Sequence, residues 1–201
     1  MKTLPETLNT LRVDHDEILR LIPEGSRVLD LGCGDGTLLI RLINDRKITG
    51  QGVEIDAQAI LECVGKGLSV YHGDIDGGLG MYEDNTFDYV IMNQTLQVLH
   101  HPQLVLREML RVGKYAIVSL PNFAFWRVRS QLFIKGVMPI SEDLPYDWFD
   151  TPNIHLCTVK DFYGLCRVEG LKVEATRFVG SPLATIWPNL FARTAIFVVN
   201  R

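Results

Sequence analysis

A short apolar run that ends in alternating glycines constrains this chain more than any other feature of its sequence. Residues 28–36 read VLDLGCGDG, and an apolar pattern of helical spacing follows at 38–43. This order predicts a buried strand, a tight turn and a helix, the first unit of an open α/β sheet. Glycine permits positive φ values and leaves room for another group beside the main chain because it has no Cβ. Such sheets bind ligands at the carboxyl ends of their strands, so we expect a nucleotide-like ligand across Gly32, Gly34 and Gly36.

Strands and helices alternate along most of the remaining sequence. Asp56 and Thr158 stand where helix N-caps are expected. Two final strands, 171–179 and 193–201, alternate enough to predict an antiparallel pair. Further strands are predicted at 26–31, 48–55, 68–72, 87–93 and 114–122. We therefore predict an α/β fold, a doubly wound, Rossmann-like, seven-stranded and mainly parallel sheet with an antiparallel edge strand and helices on both faces.

The domain organisation follows from length and from one irregular segment. A chain of 201 residues fits a single domain, so we predict one domain over 1–201 that opens with a helical segment at 1–25. Residues 121–157 hold four of the nine prolines and are too long for a plain strand-to-helix connection. We predict that this segment is an insertion with a function of its own. Its aromatic residues are Phe123, Phe125, Trp126, Phe133, Tyr146, Trp148 and Phe149.

The insertion supports three interpretations. Its rings would exclude water from a ligand if it were a lid, or pack under an extra helix if it were part of the core. As a protein interface, it would use Arg127 and Arg129 at the rim and its large rings as anchors. We favour core or interface packing for 123–136 and a surface cover near the ligand for 142–152. The interface anchors would be Trp126, Phe133, Trp148 and Phe149.

Composition and charge exclude several classes of function. The net charge is −4 and no Lys/Arg run exceeds two residues, so nucleic acid is a disfavoured partner. No stretch of 18 apolar residues predicts a membrane span, and the first residues lack the apolar core of a signal peptide. The four cysteines form no CxxC pair, which favours free thiols and a cytoplasmic location.

The spacing of the glycine run decides between classes of ligand. The pattern is Asp30-x-Gly32-x-Gly34-x-Gly36 rather than the GxGxxG of dinucleotide sites. An acid two residues before the first glycine would repel a pyrophosphate, but it suits a ligand that carries an ammonium group. Nicotinamide-dependent oxidoreduction is therefore disfavoured.

This pattern resembles that of the class I S-adenosylmethionine (SAM)-dependent methyltransferases over nearly the whole chain. The resemblance implies binding of SAM or S-adenosylhomocysteine. It implies that Glu54 accepts hydrogen bonds from both ribose hydroxyls, that Asp74 meets the adenine amino group and that Ile75 packs near the ring. The complete predicted cofactor set is Asp30, Gly32, Cys33, Gly34, Gly36, Glu54, Ile55, Asp74, Ile75, Asn93 and Gln94; the last two would line the methyl-donor site.

Several segments narrow the resemblance to the MetW family of methionine biosynthesis. They are VLDLGCGDGTLL, QGVEID, DYVIMNQTLQ, PNFAFWRVR and DTPNIHLCTVKDF, which together span 28–162. Membership of this family implies an association with homoserine O-acyltransferase and a supporting or regulatory role toward that enzyme. A homodimer is a further possible assembly that the resemblance does not decide. The alternative is an active SAM-dependent methyltransferase acting on a small molecule.

Candidates for catalysis are few. His155 is a weak candidate for a general base, and we favour a structural role that holds the insertion against the sheet. Neighbouring His100 and His101 point apart if helical and have no third ligand nearby, so we predict no metal site. Cys33 is interpreted as a small residue that fits the glycine turn. Methyl transfer from a sulfonium depends mainly on proximity and alignment, so a missing base excludes little.

Overall fold

The computed structural model of the protein describes residues 7–141 and 144–201, with side chains from residue 13 onward. Its strands are β1 Arg27–Leu31, β2 Thr49–Glu54, β3 Val70–His72, β4 Phe87–Asn93, β5 Gly113–Pro121, β6 Lys172–Gly180 and β7 Ala192–Asn200. Its helices are α1 Thr7–Leu21, α2 Thr37–Arg46, α3 Ala57–Gly65, α4 Pro102–Val112, α5 Trp126–Ser130, α6 Val159–Val168 and α7 Pro188–Phe191. Short 3-10 turns occupy Ile75–Gly77, Leu96–Val98 and Pro182–Thr185, and a π turn occupies Gln131–Lys135.

The seven strands form one mixed sheet in the order β3-β2-β1-β4-β5-β7-β6. The first five strands along the chain run parallel, and β7 runs antiparallel to both β5 and β6. This confirms the predicted fold class and the antiparallel pair at one end of the sheet. The antiparallel strand, β7, lies between β5 and β6, so β6 rather than the antiparallel strand forms the edge of the sheet. Residues 195–199 of β7 are buried on both faces, as an interior strand requires.

Two apolar clusters cover the two faces of the sheet. Strand residues such as Leu29 and Leu31 pack with α4 and α6 on one face. Val28 and its neighbours pack with α1 and α2 on the other. Successive side chains of a strand point to opposite faces, so the acidic side chain of Asp30 projects to the same face as Val28. The doubly wound arrangement therefore sets the direction of the acidic residue in the glycine motif.

Both predicted N-caps are confirmed. Asp56 Oδ1 accepts a hydrogen bond from the Ala59 N–H at 2.8 Å and starts α3. The Thr158 hydroxyl accepts from the Asp161 N–H at 3.2 Å, and the Asp161 carboxylate accepts from the Thr158 N–H at 3.1 Å. This reciprocal capping box fixes the start of α6.

Helix α1 places two polar residues under the protein surface. Asp14 and His15 are both buried against the sheet face that α1 covers. Burial, with a smaller contribution from Arg41, lowers the pKa of His15 to about 4, so its ring is neutral at pH 7. No helix within the described ranges combines the length and apolar character needed to cross a bilayer.

Candidate cofactor site

The glycine turn between β1 and α2 is packed from behind. Gly32 and Gly36 adopt positive φ values of 69° and 74°. A Cβ on Gly32 would lie 2.9 Å from the Thr95 side chain. A Cβ on Gly36 would overlap the Leu68 side chain and lie 2.8 Å from Cys63 Sγ. Conformation and space therefore both require glycine at these two positions, whereas a Cβ on Gly34 would meet nothing within 4 Å.

The Glu54 carboxylate joins this turn to the end of β2. Its Oε2 accepts a hydrogen bond from the Gly34 N–H at 2.8 Å, and its Oε1 accepts from the N–H groups of Ile55 at 2.8 Å and Asp56 at 3.0 Å. A carboxylate has about four acceptor positions, so capacity for a ligand hydroxyl is left. The predicted contact of Glu54 with a ligand stays a prediction, and the sequence analysis missed its role in holding Gly34.

Asp30 provides a second, deeper carboxyl group. Only 2% of its surface is exposed, and it lies opposite Gly52 of β2 and Ile91 of β4. Burial raises the pKa of Asp30 to about 7, with a further contribution from the charge of Glu54. A cationic group placed beside Asp30 would restore its ionised form.

A cavity of about 400 Å³ opens beside the turn, at the carboxyl ends of β1, β2 and β4. It brings together several residues predicted to hold the cofactor, namely Gly32, Glu54, Ile55, Asp74 and Ile75. Its other lining residues are Val53, Gly73, Asp76, Thr95, Val98, Leu99 and His100. The residues after β4 add an apolar wall that the sequence analysis missed, because it singled out only Asn93 and Gln94 there.

Asp76 shapes the wall of this cavity and was also missed. Its carboxylate accepts hydrogen bonds from the backbone N–H groups of His100 at 3.0 Å and His101 at 2.9 Å. His100 Nδ1 lies 3.1 Å from the same carboxylate. Asp74 Oδ1 in turn accepts from the Asp76 N–H at 2.9 Å. The loop after β3 is thereby tied to the start of α4, and a carboxylate with such partners is not apparent from spacing alone.

Asn93 and Gln94 sit at the end of β4 but bond away from this cavity. Asn93 Oδ1 accepts a hydrogen bond from the Ser119 hydroxyl. Gln94 has a positive φ of 56°, and its Nε2 donates to Asp14 Oδ2 at 2.9 Å. Gln94 thus positions α1 across the carboxyl end of the sheet. Contact of either residue with the methyl-donor group stays a prediction.

Comparison with known proteins identifies the family. A model of the family described as methionine biosynthesis protein MetW matches residues 12–199. The chain belongs to the MetW family. The bifunctional methionine biosynthesis protein MetXA/MetW of Rhodopirellula baltica is 40% identical over 215 aligned positions. That match covers 96% of this chain and 33% of the relative, so the chain spans about a third of that protein's length.

One sequence relative at lower identity and two solved structures extend the comparison of this MetW-family chain. The demethylmenaquinone methyltransferase of Staphylococcus carnosus is 26% identical over 81% of the chain and 75% of its own length. A SAM-dependent methyltransferase from Archaeoglobus fulgidus superposes with a TM-score of 0.72 at 16% identity, covering 96% of this chain and 94% of the other. A SAM-dependent methyltransferase from Mesorhizobium loti superposes with a TM-score of 0.68 at 17% identity, covering 92% of this chain and 96% of the other. These structures establish the architecture.

Cys33 supports the glycine turn of this MetW-family protein from inside. A Cβ on Gly52 would lie 2.5 Å from Cys33 Sγ, so the thiol occupies the space that Gly52 leaves free. The Cys33 N–H donates to the Val53 carbonyl at 3.2 Å. Burial raises the pKa of the Cys33 thiol well above its usual range, which disfavours a nucleophilic thiolate.

We expect Gly52→Ala to destabilise the protein by about 1–3 kcal/mol because the new methyl group meets the Cys33 thiol. Adding Cys33→Ala should recover part of that loss by removing Sγ. Urea unfolding of the two single variants and the double variant measures the coupling. Gly164→Ala is the control, since its Cβ would meet nothing within 4 Å. Strictly additive losses in the double variant would contradict the steric explanation.

The candidate base His155 is exposed and lies outside the group of residues that line the cavity. Its backbone, rather than its ring, holds the insertion, because the N–H groups of Ile154 and His155 donate to the Gln97 carbonyl at 2.9 and 3.0 Å. His100 and His101 lie at the start of α4. Within the described ranges, no three His, Cys, Asp or Glu side chains are grouped to hold a metal.

The insertion divides into a packed part and an exposed part. Phe125, Val128 and Leu144 form a small core of their own. Trp148 and Phe149 are 71% and 72% exposed. In the described part of 121–157, no residue lines the 400 Å³ cavity, and a cover near the ligand formed by 142–152 stays a prediction.

Proposed function

We propose that this chain is a SAM-binding protein of methionine biosynthesis that supports or regulates homoserine O-acyltransferase. The observation that carries the acyltransferase role is the R. baltica relative, whose name joins MetXA to MetW in one bifunctional protein. Fusion keeps two modules at high effective concentration, which favours pairs that work in contact. We infer that the separate chain makes the same association through its own surface.

The residues around the cavity fit SAM. Glu54 and Asp74 both line the cavity; Glu54 would accept a hydrogen bond from a ribose hydroxyl, and Asp74 would accept one from the adenine amino group. Ile75, Val98 and Leu99 supply apolar surface for the ring. Asp30 does not line the cavity. It lies two residues before Gly32, and an ammonium group beside its buried carboxyl would stabilise the ionised form. When bound, SAM supplies an electrophilic methyl group on a sulfonium.

Regulation through the cofactor has a structural basis. Gln97 lies in the turn between Thr95 and Val98, both of which line the cavity, and its carbonyl accepts hydrogen bonds from the insertion at Ile154 and His155. A ligand that orders this turn therefore acts on a segment bonded directly to the insertion. If SAM alters the affinity for the partner, the partner must alter the affinity for SAM by the same factor.

The second candidate function is methyl transfer to a small molecule, and a second cavity favours it. This cavity has a volume of about 690 Å³ and lies at the carboxyl ends of β5 and β6, beside α1. Aromatic walls from Phe125, Trp126, Phe178 and Phe191 and the guanidinium of Arg127 would suit a partly apolar acceptor. An acceptor held in line with the sulfonium needs little further chemistry from the protein.

Two measurements on purified protein test the proposal. Calorimetric titration with SAM and with S-adenosylhomocysteine is expected to show micromolar binding. The rate of homoserine O-acyltransferase from the same organism is expected to change when this chain is added, and to change again with SAM. An unaltered rate under both conditions would exclude the accessory role. Turnover of SAM with an added metabolite would instead support the methyltransferase.

A further inference from the structure

An exposed apolar element projects from the insertion, and we call it the apolar tip. It comprises the segment 132–140, in which Phe133 is 91% and Ile134 77% exposed. The other exposed apolar side chains of the tip are Leu132, Val137, Met138 and Ile140. Large apolar side chains exposed in succession on a soluble domain mark an interaction surface.

The tip is held in shape by its own contacts. Gln131 Oε1 accepts a hydrogen bond from the Ile140 N–H at 3.2 Å and joins the two arms. The Gly136 N–H donates to the Leu132 carbonyl at 3.1 Å at the turn, and Ser141 pairs with Leu144 across the base. The helical arm ends in the π turn Gln131–Lys135, a rare geometry that is frequent at functional sites. The apolar side chains are therefore presented by an ordered element, which lowers the entropic cost of docking.

The exposed area is of interface size. Since a large apolar side chain that is fully exposed offers ~150–200 Å², the tip presents on the order of 600 Å² of apolar surface. One partner of a standard interface contributes about 800 Å². The tip with a polar rim is thus large enough to form the centre of a stable heteromeric contact.

The charge of this segment favours a different protein over a second copy of the chain as the binding partner of the tip. The segment 126–141 carries Arg127, Arg129 and Lys135 and no acidic residue, and the first acidic residues of the insertion, Glu142 and Asp143, follow it directly in the sequence. A two-fold contact of the tip with a second copy would bring like charges together, which is unfavourable at an interface. A different protein with an apolar pocket and an acidic rim would bury the apolar side chains and pair with the basic ones.

We propose that the apolar tip is the surface on which this chain docks homoserine O-acyltransferase, with Phe133 and Ile134 as the central anchors. This inference rests on the proposed function for the identity of the partner. The acyltransferase would supply a depression for Phe133 and carboxylates facing Lys135 and Arg127. The cofactor cavity lies elsewhere, so docking leaves it accessible to SAM.

The test is calorimetric binding of the purified acyltransferase from the same organism to the full chain and to the double variant Phe133→Ser/Ile134→Ser. We expect the double variant to bind at least 10-fold more weakly. The matched control is Leu61→Ser/Val64→Ser on α3, whose side chains are 64% and 59% exposed, and it should bind like the unaltered chain. Retained SAM binding and circular dichroism show that both variants are folded. Lys135→Glu, made alone, should also weaken binding of the acyltransferase, and the effect should be largest at low salt.

The outcomes separate this inference from the proposed function. If the unaltered chain does not bind the acyltransferase, the proposed function fails and the inference fails with it. If the unaltered chain and the double variant bind equally, only the location of the docking surface is wrong. Sedimentation of the unaltered chain as a dimer that the double variant abolishes would make a second copy the occupant. If the unaltered chain binds phosphatidylglycerol vesicles and the double variant does not, the tip contacts a membrane instead. Either of these two results overturns the proposal.

Discussion

Replacement of Glu54 by alanine is expected to weaken SAM binding by about 10- to 100-fold. A hydrogen bond from a ribose hydroxyl to a carboxylate contributes about 1.5–3 kcal/mol, and each 1.4 kcal/mol is a tenfold change in affinity. The same substitution removes the acceptor for the Gly34, Ile55 and Asp56 N–H groups. The glycine turn is then less well ordered, which adds to the loss. Titration calorimetry measures the change.

Two further variants make this experiment specific. Glu62→Ala on α3 removes an exposed carboxylate and should leave SAM binding unchanged. Glu54→Gln keeps the shape of the side chain, but its amide nitrogen is a donor and cannot accept from both the turn and the ribose. We therefore expect an intermediate loss for Glu54→Gln. Affinity within threefold of the unaltered chain for a folded Glu54→Ala variant would exclude the ribose contact.

Asp30 is expected to make the free energy of unfolding fall as the pH rises from about 4 to 7. The carboxyl ionises near 3.9 in the unfolded chain, whereas burial raises the pKa of Asp30 to about 7 in the folded protein. The folded state therefore binds the proton more tightly, and this favourable contribution is complete below pH 4 and lost by pH 7. A shift of this size corresponds to about 4 kcal/mol for a fully buried group.

Asp30→Asn should remove this pH dependence. Urea unfolding at pH 5 and at pH 7.5 would show a fall in stability for the unaltered chain and a smaller one for the variant. Asp45→Asn, at an exposed position, is the control and should keep the unaltered pH profile. Equal profiles for all three proteins would show that Asp30 is ionised in the folded state.

Binding of SAM should depend on pH through the same carboxyl group. An ammonium group beside Asp30 stabilises its ionised form, so binding near pH 6 is expected to release a proton. Calorimetry in two buffers of different ionisation enthalpy measures that release directly. The release should vanish in Asp30→Asn. Proton release that persists in the variant would place the ammonium beside another group.

The sequence by itself determined the features that depend on near neighbours. A hydrogen bond at a helix start joins residues three apart, so Asp56 and Thr158 were predictable as N-caps. Strand and helix periodicities repeat within a few residues. The alternating glycines indicate, at their own positions, a backbone that needs positive φ or has no room for a Cβ. The fold class, the turn at the carboxyl end of β1 and the family all follow from such local patterns.

Only the tertiary structure decided which distant residues meet. The bond from Gly34 to Glu54 spans 20 residues, and the bond from Gln94 to Asp14 spans 80. Such contacts exist because the strand order brings carboxyl ends together. Likewise, the sequence shows that Phe133 and Trp148 are apolar, but not that both face solvent instead of the ligand cavity. An apolar side chain favours any dry contact, because the hydrophobic effect has no direction, and packing alone determines which contacts the chain makes within itself and which it leaves for a partner.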